Sequence, residues 1–186
     1  MSKAIVCLTA GSEFYSKAIR KLTHSNVNHA FIAYTSQEWG GWWAIQVDER
    51  GVIKVPVKNV EWKSIECYEF PSLDLSTAFK RVRDLIGYSY DWEGIGGFMI
   101  KLLAWRLFDR AIVNPLHKTG DLFCSEFVTI FLQQVDGMYD EIMSLNPSGV
   151  APGGDPKFLG TPSLRWELNR MGGDCIRIDP PWEQVA

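Results

Sequence analysis

The sequence has no cluster of basic residues: 19 Lys and Arg stand against 22 Asp and Glu, a formal net charge of −3. Nucleic-acid binding draws its affinity from Lys and Arg gathered against phosphates, so nucleic acid is not an expected partner. Cysteine is sparse, and Cys7, Cys67, Cys124 and Cys175 lie far apart with no C-x-x-C pair. That spacing gives neither a zinc ribbon nor a redox dithiol, and it fits free thiols in a reducing compartment. Three histidines in 186 residues are too few for a Cys/His metal cage. No metal and no organic cofactor is expected. Long apolar runs are missing as well. Phe98–Phe108 is interrupted by Lys101 and Arg106, too short and too charged to span a bilayer. As a helix it would cover core or cleft, and contact with a membrane surface is a second use for it. Ala4–Ala10, after Lys3, is at the lower limit of a signal-peptide core and reads better as a strand. A cytoplasmic location is the expectation, and no internal repeat appears.

What is present describes one globular domain over residues 1–186, 46% hydrophobic and rich in tryptophan, with eight. Its most informative stretch is Gly120–Val135. Gly120 breaks the chain, and Thr119 or Asp121 offers a cap for the helix that follows. From Cys124 the apolar residues recur at Phe127, Val128, Phe131, Leu132 and Val135, the stripe of a core-facing helix. Cys124 therefore sits in the first turn on the inward side. There the positive end of the helix dipole favours thiolate over thiol. A nucleophile is one reading. A small buried residue filling the core is the other, and the choice depends on whether the chain supplies a base.

Upstream, Ala4–Thr9 reads as a buried strand, and Ser12 can cap a helix through Phe14, Tyr15, Ala18, Ile19 and Leu22. A polar loop leads into His29–Tyr34, a second strand with His29 at its start, where a side chain can reach a cleft. His24 and His117 read as surface residues. Trp42–Asp48 is a third strand with Trp42, Ala44, Gln46 and Asp48 on one face. If it pairs with the His29 strand, Gln46 can fix the imidazole's tautomer, the task of the third member of a nucleophile–base–orienter set. Asp48, two residues on, shares that face and is the alternative partner for the ring. Val52–Val57 reads as an edge strand because of Pro56, and Ile65–Phe70 as another strand. A helix is expected from Ser72 or Asp74 to Gly87, an irregular aromatic segment at Tyr88–Trp92, and a long surface loop over 136–161 bordering the cleft. A short helix with Trp166 and Leu168, a strand at Cys175–Ile178 and an exposed tail from Pro180 complete the chain.

Gly87-x-x-Tyr90-x-Trp92, followed by Phe123-Cys124-Ser125-x-Phe127-Val128, resembles the blocks of NlpC-like cysteine peptidases, which have a papain-like fold. Here His29 and Ala44-Ile45-Gln46-Val47 precede the cysteine, an order similar to the circularly permuted branch with its YiiX-like proteins. The lecithin:retinol acyltransferase group is a more distant likeness. Cys124-Ser125-Glu126 and Thr161-Pro162-x-Leu164 also resemble that branch. The resemblance implies an α+β fold in which a helix bearing Cys124 packs on an antiparallel sheet bearing His29 and Gln46. It implies Cys124 as nucleophile, His29 as base, Gln46 as third residue and Tyr90 beside the nucleophile. The backbone amide of Cys124 is the oxyanion donor expected at a helix start. The expected activity is a thiol peptidase or amidase acting on peptides or peptidoglycan fragments. An acyltransferase or lipid acyl hydrolase taking acyl esters would use the same residues, and a non-catalytic binding module would retain only the fold.

Overall fold

The computed structural model describes residues 3–11, 14–110, 112, 114–116 and 121–183. The caps expected from Ser12 and Thr119, the break at Gly120, the surface position of His117 and the last three residues of the tail lie outside the described residues. In chain order the strands are β1 (Ala4–Thr9), β2 (His29–Thr35), β3 (Trp42–Asp48), β4 (Gly51–Pro56), β5 (Ile65–Glu69), β6 (Ser89–Tyr90), β7 (Asp121–Leu122) and β8 (Ile176–Ile178). The helices are α1 (Phe14–Thr23), α2 (Thr77–Arg81), α3 (Trp92–Phe108), α4 (Cys124–Gln133), α5 (Asp140–Met143), α6 (Pro156–Leu159) and α7 (Leu164–Arg170). The fold is α+β, with an antiparallel six-stranded sheet in the order β4-β3-β2-β1-β5-β8. Pro56 lies on edge strand β4, where a missing amide proton costs no ladder bond.

The register assigns every sheet residue to a face, because directly paired residues point the same way. Cys7 pairs with both Phe31 and Cys67, and Phe31 pairs with Gln46. This face therefore carries His29, Phe31, Ala33, Gln46, Ala44 and Cys7, and Trp42, Trp62 and Trp182 cover its apolar part. The opposite face, with Ala30, Ile32, Ile45 and Val47, packs against α4 through Phe127, Val128, Phe131 and Leu132. All four of those α4 side chains are fully buried. Each contributes roughly 1.5–3 kcal/mol over an exposed position, which holds the helix in place without any side-chain cap.

Several elements differ from the sequence expectation. Asp121 does not cap α4. It lies in β7, which pairs in parallel with β6, so the Tyr88–Trp92 segment is partly strand. The N-cap position is Phe123, whose side chain accepts no hydrogen bond. The helix expected up to Gly87 stops at Arg81 and tightens into a 3-10 turn over Arg83–Leu85. Backbone bonds from Gly87 N to Val52 O and from Val52 N to Tyr88 O, at 3.0 and 2.9 Å, pull the chain onto β4 there.

Helix α3 begins before Phe98, running through Gly94, Gly96 and Gly97, with Asp91 Oδ1 accepting from Gly94 N at 2.6 Å. Gly94 and Gly97 look like turn residues but serve close packing. A Cβ on Gly97 would come within 2.0 Å of Asn114 Oδ1. The 136–161 segment is no surface loop, since it contains α5 and α6 and buries Ile142, Val150 and Ala151 completely. Nor is the chain after Pro180 simply exposed: the Trp182 ring packs against Trp42 and Trp62 at centroid distances of 5.5 and 6.1 Å.

Candidate active site

The site forms where the first turn of α4 meets the start of β2. The chain entering β2 is clamped by Asn28. Its Oδ1 accepts from Gly11 N at 3.0 Å and from Arg20 Nη1 at 2.7 Å, and its Nδ2 donates to Ser16 Oγ at 2.9 Å. That clamp fixes the backbone immediately before His29. Cys124 is 6% exposed, with its sulfur 3.9 Å from the Asn28 carbonyl oxygen. Next in α4, Ser125 Oγ donates to Val150 O at 2.7 Å, tying the helix start to the 136–161 segment.

Helix α4 packs on one face of the sheet, whereas His29 and Gln46 point from the other. The two sets still meet, because Cys124 is the first helical residue and His29 the first of its strand. Both line the same pocket.

Burial alone would raise the Cys124 pKa. The hydrogen bond and charge of the His29 imidazolium outweigh it, helped by the backbone amides of Ala30 and Ser125, and the thiol is held below its ordinary value. For His29, burial alone would lower the pKa. Pairing with the Cys124 thiolate, then the Gln46 hydrogen bond and the Asp48 charge, raise it. Opposite shifts in neighbouring groups favour a thiolate beside an imidazolium.

His29 Nε2 lies 3.2 Å from Gln46 Oε1. Gln46 Nε2 donates to Asp48 Oδ2 at 3.1 Å, and Asp48 is paired with Arg50 at 2.6 Å. The ring partner is therefore Gln46, with Asp48 one step behind it. Sequence reading placed Asp48 on the right face but assigned it no part alongside Gln46. The two-residue alternation was the available signal, and the Glu49-Arg50 turn was the other half of it.

Cys124, His29, Gln46 and Tyr90 line one pocket of about 400 Å³. One wall is apolar, made by Ile95, Phe98 and Met99 of α3 together with Phe123. The other is polar, with Thr9, Asn28, Asp48, Arg50 and Asn59. Thr9, missed in the sequence, is the direct cross-strand partner of His29, and its buried Oγ1 has no hydrogen-bond partner among the described residues. Tyr90 stacks edge-on against Trp92 at 4.7 Å. His24 is exposed and packs on Phe158, away from this pocket. Pro152 borders the pocket, so the 136–161 segment does reach the cleft.

No protein-family model matches the sequence, and no curated protein matches it either. Among solved structures the fold is similar to that of the metalloprotein YiiX from Escherichia coli O157:H7, with a TM-score of 0.60, 14% sequence identity and 97% of each chain covered. At that identity the likeness is one of fold, and it is to a protein of the branch that the sequence blocks resemble. Among the described residues of this chain, no group of three or more His, Cys, Asp or Glu is placed to hold a metal ion. In the pocket, Cys124 and His29 pair with each other and Asp48 is held by Arg50, so these residues do not fit a metal centre. No helix among the described residues is long and apolar enough to cross a membrane.

Proposed function

We propose that the protein is a cysteine-dependent hydrolase of the peptidase or amidase type, built on a permuted NlpC-like variant of the papain-like fold. The observation that carries this reading is the pairing of Cys124 with His29 at a helix start, with Gln46 on the far ring nitrogen. With His29 Nε2 donating to Gln46, Nδ1 is the nitrogen left to exchange a proton with sulfur. The Cys124 thiolate attacks the carbonyl carbon of the substrate, and the carbonyl π electrons move to oxygen. The backbone amide of Cys124 stabilises that oxyanion at the uncapped helix start. Tyr90, on the same pocket, supplements it. The imidazolium of His29 then gives its proton to the departing amine as the carbon–nitrogen bond breaks. A thioester on Cys124 remains. A water molecule that loses its proton to His29 attacks the thioester and releases the acid and the thiol.

The expected substrates are peptides or peptidoglycan-type fragments. A second reading has its own support, since α3 is apolar on two sides. Its Phe98 and Leu102 are buried, while Ile100, Leu103, Leu107 and Phe108 are 47%, 41%, 68% and 74% exposed. A helix of that kind beside the pocket suits a lipid acyl ester or thioester and a protein that works at a membrane surface, by hydrolysis or acyl transfer.

Incubation with a panel of peptide, muropeptide and acyl-ester substrates tests both, with intact-mass detection of an acyl adduct on Cys124. Hydrolysis by the wild type and none by Cys124→Ala, at unchanged thermal stability, is the expected result. Turnover that survives in Cys124→Ala would sink the hydrolase reading, and adducts only from long-chain acyl esters would favour the lipid one. Specific binding of panel members without turnover would mark a non-catalytic module.

A further inference from the structure

We propose that Asp48, held by Arg50, is a positioning residue that locks the Gln46 amide with its oxygen toward His29, and thereby sets which ring nitrogen exchanges a proton with Cys124. The inference rests on the thiol–imidazole reading above and concerns what makes a neutral glutamine adequate as the third residue.

A side-chain amide has two ends of nearly equal size and opposite hydrogen-bonding character, one accepting and one donating. Nothing in Gln46 by itself decides which end meets the imidazole. Were the NH2 end to face Nε2, that nitrogen would have to accept, and the neutral ring would carry its proton on Nδ1. The nitrogen nearest the thiol would then be blocked as a base. An ionised carboxylate offers only acceptors. Asp48 Oδ2 lies 3.1 Å from Gln46 Nε2 and is satisfied only by the NH2 end, so the oxygen is left to His29 Nε2 at 3.2 Å.

The carboxylate is itself immobilised. Arg50 engages both of its oxygens, Nη2 to Oδ2 at 2.6 Å and Nε to Oδ1 at 3.1 Å. The Arg50 backbone amide also donates to Oδ1, at 2.9 Å. These contacts sit in the two-residue turn between β3 and β4, where Asp48 pairs with Gly51. A hairpin of that length leaves the carboxylate little freedom to swing. Other charged groups on the pocket are Glu49 and Glu61, both exposed at its rim. Neither has a hydrogen bond to Gln46 or His29. Asp48 also lends the ring its negative charge through the amide, as a carboxylate in the third position would do directly.

The test is the rate of Cys124 carbamidomethylation from pH 5 to 9 in wild type, Asp48→Ala and Asp48→Asn, read peptide by peptide. The tautomer of His29 is followed by 15N chemical shifts in a Cys124→Ala background, where no thiolate holds the ring as imidazolium and the neutral form can be read above its pKa. Asp48→Ala should slow labelling at pH 6 by roughly three- to tenfold, because the ring loses a favourable charge and a fixed partner. The Nε2–H form should lose population in the same variant. Asp48→Asn keeps an acceptor without the charge and should recover the tautomer but not the full low-pH rate. Continued protection of Cys7 in the same sample shows that the variant is folded. Were Asp48→Ala to unfold, the 15N shifts of Asp48→Asn would carry the test. Wild-type profiles and tautomers in both variants would overturn the proposal and leave the thiol–imidazole reading standing. An ordinary thiol profile for Cys124 in the wild type would instead defeat that reading itself, and this inference with it.

Discussion

Cys124 and Cys7 are both buried thiols against the same sheet, 6% and 0% exposed, and their ionisation is driven in opposite directions. Around Cys7, burial pushes the pKa up, and Cys67, whose sulfur lies 3.7 Å away, pushes it further. The Ala33 amide offers only a small opposing effect. Around Cys124, the same burial is overcome by an imidazole. Cys175 has burial alone and is pushed up to about 12. Depth of burial thus does not set the direction in which a thiol's ionisation shifts. The sign of the neighbouring charge does, and at Cys124 that charge comes from His29 at the start of β2.

The sharpest way to break the contrast is to remove the base. His29→Ala should slow Cys124 alkylation at pH 6 by roughly ten- to hundredfold, as the thiolate fraction falls toward that of an ordinary thiol. Gln46→Ala should cost about as much as Asp48→Ala, roughly three- to tenfold, and preserve measurable activity, since the residue orients the ring and carries no proton. Equal losses in the two variants would mean that Gln46 does more than orient.

The smallest effect sharpens the contrast from the other side. Cys7→Ala should lower stability by roughly 1–2 kcal/mol, through loss of a fully buried sulfur, while leaving hydrolysis unchanged. Urea unfolding and substrate turnover measured on one preparation check it. A fall in turnover without loss of stability would tie the Cys7–Cys67 pair to the site.

Much of this was legible from the sequence, for reasons visible in particular residues. Trp42–Asp48 reads as a strand, whose two-residue repeat puts Trp42, Ala44, Gln46 and Asp48 on one face, and Gln46 stands where that repeat puts it. The α4 stripe is likewise periodic and fully buried, so its first residue could be placed facing inward. Three things were not legible. Gly94 and Gly97 hide the start of α3, because close packing and turn formation call for the same residue. The 136–161 segment has turn-forming composition, yet Val150 and Ala151 are buried by contacts such as the Ser125–Val150 bond, which no local pattern records. The joint action of Asp48 and Arg50 depends on a turn that folds a side chain back on its own strand, and alternation alone does not show it.

A charged partner distinguishes Cys124 from Cys7 and Cys175, whose thiols are raised by burial. This difference is tested most directly by timed alkylation of the native wild-type protein from pH 5 to 9, quantified at all four cysteines by peptide mass spectrometry. A lowered pKa keeps the thiolate populated as pH falls, so Cys124 labelling should persist below pH 8. Cys7 and Cys175, with raised values, should remain unlabelled across the range. Cys124 labelling that appears only above pH 8, or that runs parallel to Cys7, would show that His29 does not hold the Cys124 thiol below its ordinary value.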